Sequence, residues 1–194
     1  AMELHVQHLT SPELQGRGLG SVGADKAAAY IAEQFEAAGL LPGGDDKTFY
    51  QRFVVEEGAD GKPHKIANVV GYLQGSQDNY KNQTVVLGAH YDHLGLGWPD
   101  VHAGDEGVVH PGADDNATGV ATVLELARTL SDTSRHLDFP FDIRFILFSG
   151  EELGLLGSDA YADSVAAEGD TIYGVLNVDM VGFKKHPAGA DSCD

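Results

Sequence analysis

The first sustained periodicity in the chain runs over residues 23–38, where Ala27, Ala28, Ile31 and Phe35 recur at helical spacing between a capping Ser21 and a terminating Gly39. That spacing predicts an amphipathic helix. The pattern then changes to β-branched and aromatic residues over 49–56 and 65–73, separated by the turn cluster Gly58-Ala59-Asp60-Gly61, which predicts two paired strands along one edge of a sheet. Residues 84–89 and 143–148 are short continuous apolar runs, the length and composition of central strands buried on both faces. Between them, residues 117–130 place Val120, Val123, Leu124 and Ala127 on one helical face. Residues 155–165 predict another helix and 172–178 a further buried strand. From residue 84 the order is strand, loop, helix, strand, helix, strand. The fold class it predicts is α/β, a three-layer α/β/α arrangement around a mixed, mostly parallel sheet.

No repeat, low-complexity tract or linker divides the chain, so one domain over residues 1–194 is expected. The formal charge of -18 argues against nucleic acid or an anionic membrane as partner, because the twelve Lys and Arg are scattered without a basic run. The same acidity suits cation binding. No apolar run approaches the roughly 18 residues of a membrane span. Cys193 is the only cysteine, which leaves no internal disulfide and no thiolate metal cluster. Ala1 ahead of Met2 is an unusual natural start and is compatible with an exported protein whose leader has been removed, so the compartment stays open.

The candidate chemistry lies where apolar runs meet Gly-rich turns. In an open α/β sheet, ligands gather outside the carboxyl ends of the strands, and there the chain places His90, Glu151 and Asp179. His90 and Asp92 are two apart and point to one side of an extended segment, where a carboxylate can receive the second ring N–H of a metal-bound histidine. Asp115 opens a helix after a glycine turn, and its two oxygens can bridge cations about 3.5–4 Å apart. Glu151 and Glu152 divide between two roles, one as metal ligand and the other as an uncoordinated base. Oxygen and imidazole ligands without thiolate suit zinc at an open position. An adjacent acidic pair means little alone: the chain has five, and Asp45-Asp46, Glu56-Glu57 and Asp105-Glu106 read as solvated turns. What sets the others apart is their joint placement on successive strand ends. The irregular stretch 94–111 is long enough to be expected at the border of the site.

Four segments carry a resemblance. Gly88-Ala89-His90-Tyr91-Asp92-His93-Leu94-Gly95, Gly112-Ala113-Asp114-Asp115-Asn116-Ala117-Thr118-Gly119, Ser149-Gly150-Glu151-Glu152-Leu153-Gly154 and Asn177-Val178-Asp179-Met180 closely resemble the co-catalytic zinc aminopeptidases, a family that also includes glutaminyl cyclases. The lead-in, Leu9-Thr10-Ser11-Pro12-Glu13-Leu14-Gln15-Gly16-Arg17, is similar to that of bacterial members. The resemblance implies two zinc ions, with His90 and Asp179 on one, Glu152 on the other and Asp115 bridging. It implies Glu151 as general base and Asp92 as the group that orients His90. The implied reaction is removal of the N-terminal residue from a peptide with a free N-terminus.

The match departs from the family at one ligand. The family's remaining zinc ligand is a histidine on a later segment, and only fifteen residues follow Asp179, with His186 too close to serve. The expectation is a C-terminally truncated domain lacking its last elements, with one zinc or none bound, an apolar edge exposed, and self-association to a homodimer as one way to cover it. His102 or His110 in the long loop is a weaker substitute ligand, because loops place ligands poorly without support. Two other functions compete: glutaminyl cyclisation with one zinc, and a non-catalytic binding domain of the same fold.

Overall fold

The structure, a computed structural model, describes residues 1–77, 80, 83–134 and 138–182. The segment 184–194, with His186 and Cys193, lies outside the described residues. Among the described residues, four α-helices, α1 (Met2–Leu9), α2 (Val22–Ala37), α3 (Gly119–Ser134) and α4 (Leu156–Glu168), pack on a sheet of six strands. The strands are β1 (Leu41–Pro42), β2 (Tyr50–Val55), β3 (His64–Leu73), β4 (Gln83–His90), β5 (Asp142–Phe148) and β6 (Thr171–Asn177).

The predicted helix over 23–38 is α2, and Ser21 caps it by accepting a hydrogen bond from the Ala24 N–H at 3.1 Å. The predicted strand pair is β2 and β3, antiparallel with Phe53 opposite Ile66. The sheet order is β1-β3-β5-β4-β6, with β2 also on β3. It is mixed, as expected, with β3 alone running against the other five strands. β4 pairs in parallel with β5 and β6, whereas β1, β2 and β5 all run antiparallel to β3. A short turn suffices to return β2 into β3, so no crossover helix forces a parallel pairing there.

The period-2 alternation of the strands divides their side chains between two layers. Val69, Leu87, Phe145 and Leu147 meet α2 and α3 through Ala27, Ile31, Phe35, Val120 and Leu124, while Val70, Val86 and Ile146 meet Tyr161 and Val165 of α4. Burying a side chain such as Phe145 or Ile146 contributes about 1.5–3 kcal/mol. The expectation of a buried strand over 172–178 is overturned. Among the described residues β6 has a neighbour on one side only, and Tyr173, Val175 and Leu176 are exposed. Their apolar character reflects no cover among the described residues.

Candidate metal centre

The carboxyl ends of β4, β5 and β6 lie side by side because β4 pairs in parallel with both neighbours, His90 opposite Phe148 and Gly88 opposite Asn177. His90 is the last residue of β4, Glu151 and Glu152 follow β5, and Asp179 follows β6. Asp115 comes from the turn between the long loop and α3. His90 Nε2 stands 3.2 Å from Asp115 Oδ1, 3.6 Å from Asp179 Oδ1 and 3.9 Å from Glu151 Oε2. The predicted site residues are therefore brought together, and Asp92 lies directly behind them.

Asp115 Oδ1 is buried with no hydrogen-bond partner among the described residues, although His90 Nε2 is close by. A nitrogen and two carboxylate oxygens brought this close form a set that could hold a cation. Such burial without a partner is costly for a carboxylate, and a cation relieves it. His90, Asp115 and Asp179 offer three ligand atoms within 4.8 Å of one another, as do His90, Glu151 and Glu152, and also His93, Asp115 and Glu152. The donor set is oxygen and imidazole, so the residues fit a borderline metal such as zinc.

The electrostatics express the same demand for positive charge. Burial pulls the His90 pKa down, but the Asp115 and Asp92 carboxylates and the charge of Glu151 reverse this and push it up to about 11. Asp115 is held below its ordinary value by the approach of His90, against the opposing effect of burial. Glu151 is raised by burial and by the charges of Glu152, Asp92 and Asp179, with His90 opposing. A carboxyl raised in this way is suited to receiving a proton.

The sequence assigns Asp92 to His90 through its carboxylate, and the structure distributes that contact differently. His90 Nδ1 is 3.2 Å from the main-chain oxygen of Asp92 and 3.8 Å from its carboxylate. The carboxylate instead accepts the Glu151 N–H at 3.2 Å, tying the β4 end to the acidic turn after β5. That turn is held a second time by the fully buried Asn68, which accepts the Ser149 N–H and donates to Gly157 O.

Two further supports were outside the sequence reading. Arg17 is fully buried and donates to four main-chain oxygens, those of Leu9, Tyr91, Pro111 and Gly112. It joins the strand end that carries His90 to the turn that carries Asp115. Burial lowers its pKa to about 10, opposed by the charges of Asp92, Asp115 and Glu152. Asn116 donates to Val178 O and accepts from the N–H groups of Gly119 and Met180, so it fixes both sides of Asp179. The only prior signals were Arg17 in the lead-in motif and Asn116 beside Asp115. The long loop borders the site, as expected: Gly95 N–H donates to Gly16 O, and Pro111 O accepts from the Arg17 guanidinium. His102 and His110 are not brought to the metal-ligating groups; the ring of His110 faces Asp105 O.

No helix among the described residues is long and apolar enough to cross a membrane. The chain is 32% identical over 184 residues to leucine aminopeptidase 1 of Leptosphaeria maculans, covering 94% of this chain and 42% of that protein. It thus spans less than half the length of the curated relatives it matches. Among solved structures, a Zn-dependent exopeptidase from Parabacteroides distasonis aligns with a TM-score of 0.74 at 21% identity, over 94% of this chain and 61% of that one. Tannerella forsythia glutaminyl cyclase aligns with a TM-score of 0.72 at 20% identity, over 94% and 62%. These two likenesses concern the fold. Residues 68–189, which include every site residue described above except Arg17, match Peptidase family M28, and the chain belongs to that family.

Proposed function

We propose that the chain carries the catalytic centre of a zinc aminopeptidase, which hydrolyses the N-terminal bond of a peptide with a free N-terminus. The observation that carries this reading is the convergence of His90 Nε2, Asp115 Oδ1 and Asp179 Oδ1 at 3.2 and 3.6 Å, with Glu151 beside them. His90 and Asp179 would hold one zinc, Glu152 the second, and Asp115 would bridge the two. Zinc bound there supplies Lewis-acid polarisation of a carbonyl and acidifies a water. Glu151 stays uncoordinated, takes the proton of the attacking water on its carboxylate, and returns it to the leaving amine. Asp92 holds the Glu151 main chain and presents its carbonyl to His90 Nδ1, which keeps Nε2 directed at the site. The leucine aminopeptidase name of the Leptosphaeria maculans relative supports an apolar N-terminal residue as substrate.

Bound zinc and turnover of a leucyl peptide, measured on the chain and on its Glu151→Gln variant, test the reading. The expected result is zinc retained in both and hydrolysis reduced about 10²–10⁴-fold in the variant. Pyroglutamate formation from an N-terminal glutamine peptide, faster than leucyl hydrolysis, would replace this reading with a cyclase. Zinc binding with neither activity would favour a binding domain. Self-association through the exposed side of β6 belongs to the same proposal, and sedimentation at rising concentration checks it.

A further inference from the structure

His93 follows the His90-Tyr91-Asp92 segment and has no role in the reading above. Its Nδ1 lies 2.6 Å from Glu152 Oε1 and 3.9 Å from Asp115 Oδ1, with the ring 11% exposed and the Glu152 side chain 18%. These distances separate two ways in which a histidine can serve a metal ligand. Two ligands on one tetrahedral zinc, each about 2.0–2.2 Å from the ion, stand about 3.3 Å apart. His90 Nε2 keeps close to that spacing from Asp115 and Asp179, at 3.2 and 3.6 Å. A separation of 2.6 Å is too short for two ligands of one ion and is the length of a charge-assisted hydrogen bond.

We therefore infer that His93 is a positioning residue: it donates Nδ1–H to Glu152 Oε1 and leaves the other carboxylate oxygen to the second cation. This inference rests on the two-metal reading for its purpose, though not for its geometry. The surroundings hold the ring for this task. The His93 N–H donates to Arg17 O at 3.2 Å, and residue 93 forms a parallel bridge with Gly18. The ring lies against Gly112, where a Cβ would fall 2.5 Å from His93 Cδ2 and where φ is +58°. Gly112 is thus required twice, by its backbone conformation and by the space the ring occupies. Its carbonyl is in turn anchored by Arg17. A glutamate has three side-chain torsions to restrict, and a fixed donor on one oxygen selects the rotamer that faces the site.

Metal titration of the full chain with zinc and with cobalt(II), on wild type, His93→Ala and His93→Gln, tests the assignment. The first cation should bind equally in all three. The second should bind about 10–100-fold more weakly in His93→Ala, with partial recovery in His93→Gln, whose amide can still donate. Proton NMR of the cobalt form separates positioning from coordination, because a coordinated imidazole gives a strongly shifted exchangeable ring N–H. One such signal, from His90, unchanged in His93→Ala, supports the assignment. A second signal that disappears in His93→Ala overturns it and makes His93 a ligand. Equal second-site affinity in wild type and His93→Ala overturns it as well. If wild type binds no second cation, the metal titration reads the first site alone. Ring ¹⁵N shifts of His93 in the metal-free chain then decide the inference: a protonated Nδ1 that changes in Glu152→Gln upholds the hydrogen bond, and an unprotonated Nδ1 removes it.

Discussion

β5 and β6 both pair in parallel with β4, yet they occupy different physical environments. Phe145, Ile146 and Leu147 of β5 are fully buried, whereas Tyr173, Val175 and Leu176 of β6 are 54–72% exposed. The two strands are similar in composition; what separates them is the number of neighbours. β5 sits between β3 and β4 with helices on both faces, and among the described residues β6 has β4 alone. The contrast continues into the site. Glu152, after β5, has a side chain 18% exposed and a histidine partner, while Asp179, after β6, is 45% exposed and relies on Asn116 to hold its flanks. One half of the centre is built into a packed frame and the other half is attached to it by main-chain hydrogen bonds.

Paired truncations give the largest expected difference. Phe145→Ala should cost about 3–5 kcal/mol in urea denaturation, because it leaves a cavity in the packed frame. Leu176→Ala should stay within about 0.5 kcal/mol, as an exposed position. Equal costs would mean that β6 is as well packed in solution as β5, and the comparison would break. A smaller effect sharpens it: zinc at about 100 times its Kd should stabilise the chain by about 2.7 kcal/mol. Hydrogen exchange should then slow most in residues 178–182, where Asp179 becomes tied to His90 and Asp115, and a chelator should reverse it. Protection confined to β4 and β5 would show that Asp179 does not take part.

The smallest effect lies on the covered side, at His5 of α1, whose ring faces α2 and α3 with Nδ1 2.7 Å from the Tyr30 hydroxyl and Nε2 3.5 Å from Glu125 Oε1. Burial lowers its pKa below 6.5, with Glu125 opposing. The unfolded chain then binds that proton more tightly, so the stability contributed by His5 is complete above about pH 6.5 and declines as pH falls through that value toward the lower folded pKa. His5→Gln should remove this decline, seen as a smaller shift of the urea midpoint between about pH 7.5 and about pH 5.5. An unchanged shift would mean that His5 is not desolvated, and that even the covered side is open to water near α1.

Most of the elements were legible because their cause is local. The Ala27, Ile31, Phe35 spacing marks α2, and the run of residues 143–148 marks β5, since each pattern lies within one element and meets one environment. The catalytic candidates were legible for a related reason: parallel pairing sets strand ends side by side, so residues after β4, β5 and β6 must be neighbours. α1 went unread because eight residues containing three polar histidine or glutamine positions give too weak a pattern. β6 was misread because an apolar strand carries no record of how many neighbours it has.

The sequence by itself determined which residues could do chemistry here and at which end of the sheet they stand, because residue type and strand order are properties of the chain. Only the tertiary structure decided how they are held. Arg17 reaches Tyr91 and Gly112 across 74 and 95 residues, Asn116 reaches Val178 across 62, and His93 reaches Glu152 across 59. Such contacts follow from the packing of the whole domain and leave no periodicity in any one segment. The difference between the 3.2 Å separation of His90 from Asp115 and the 2.6 Å separation of His93 from Glu152 is likewise set by that packing.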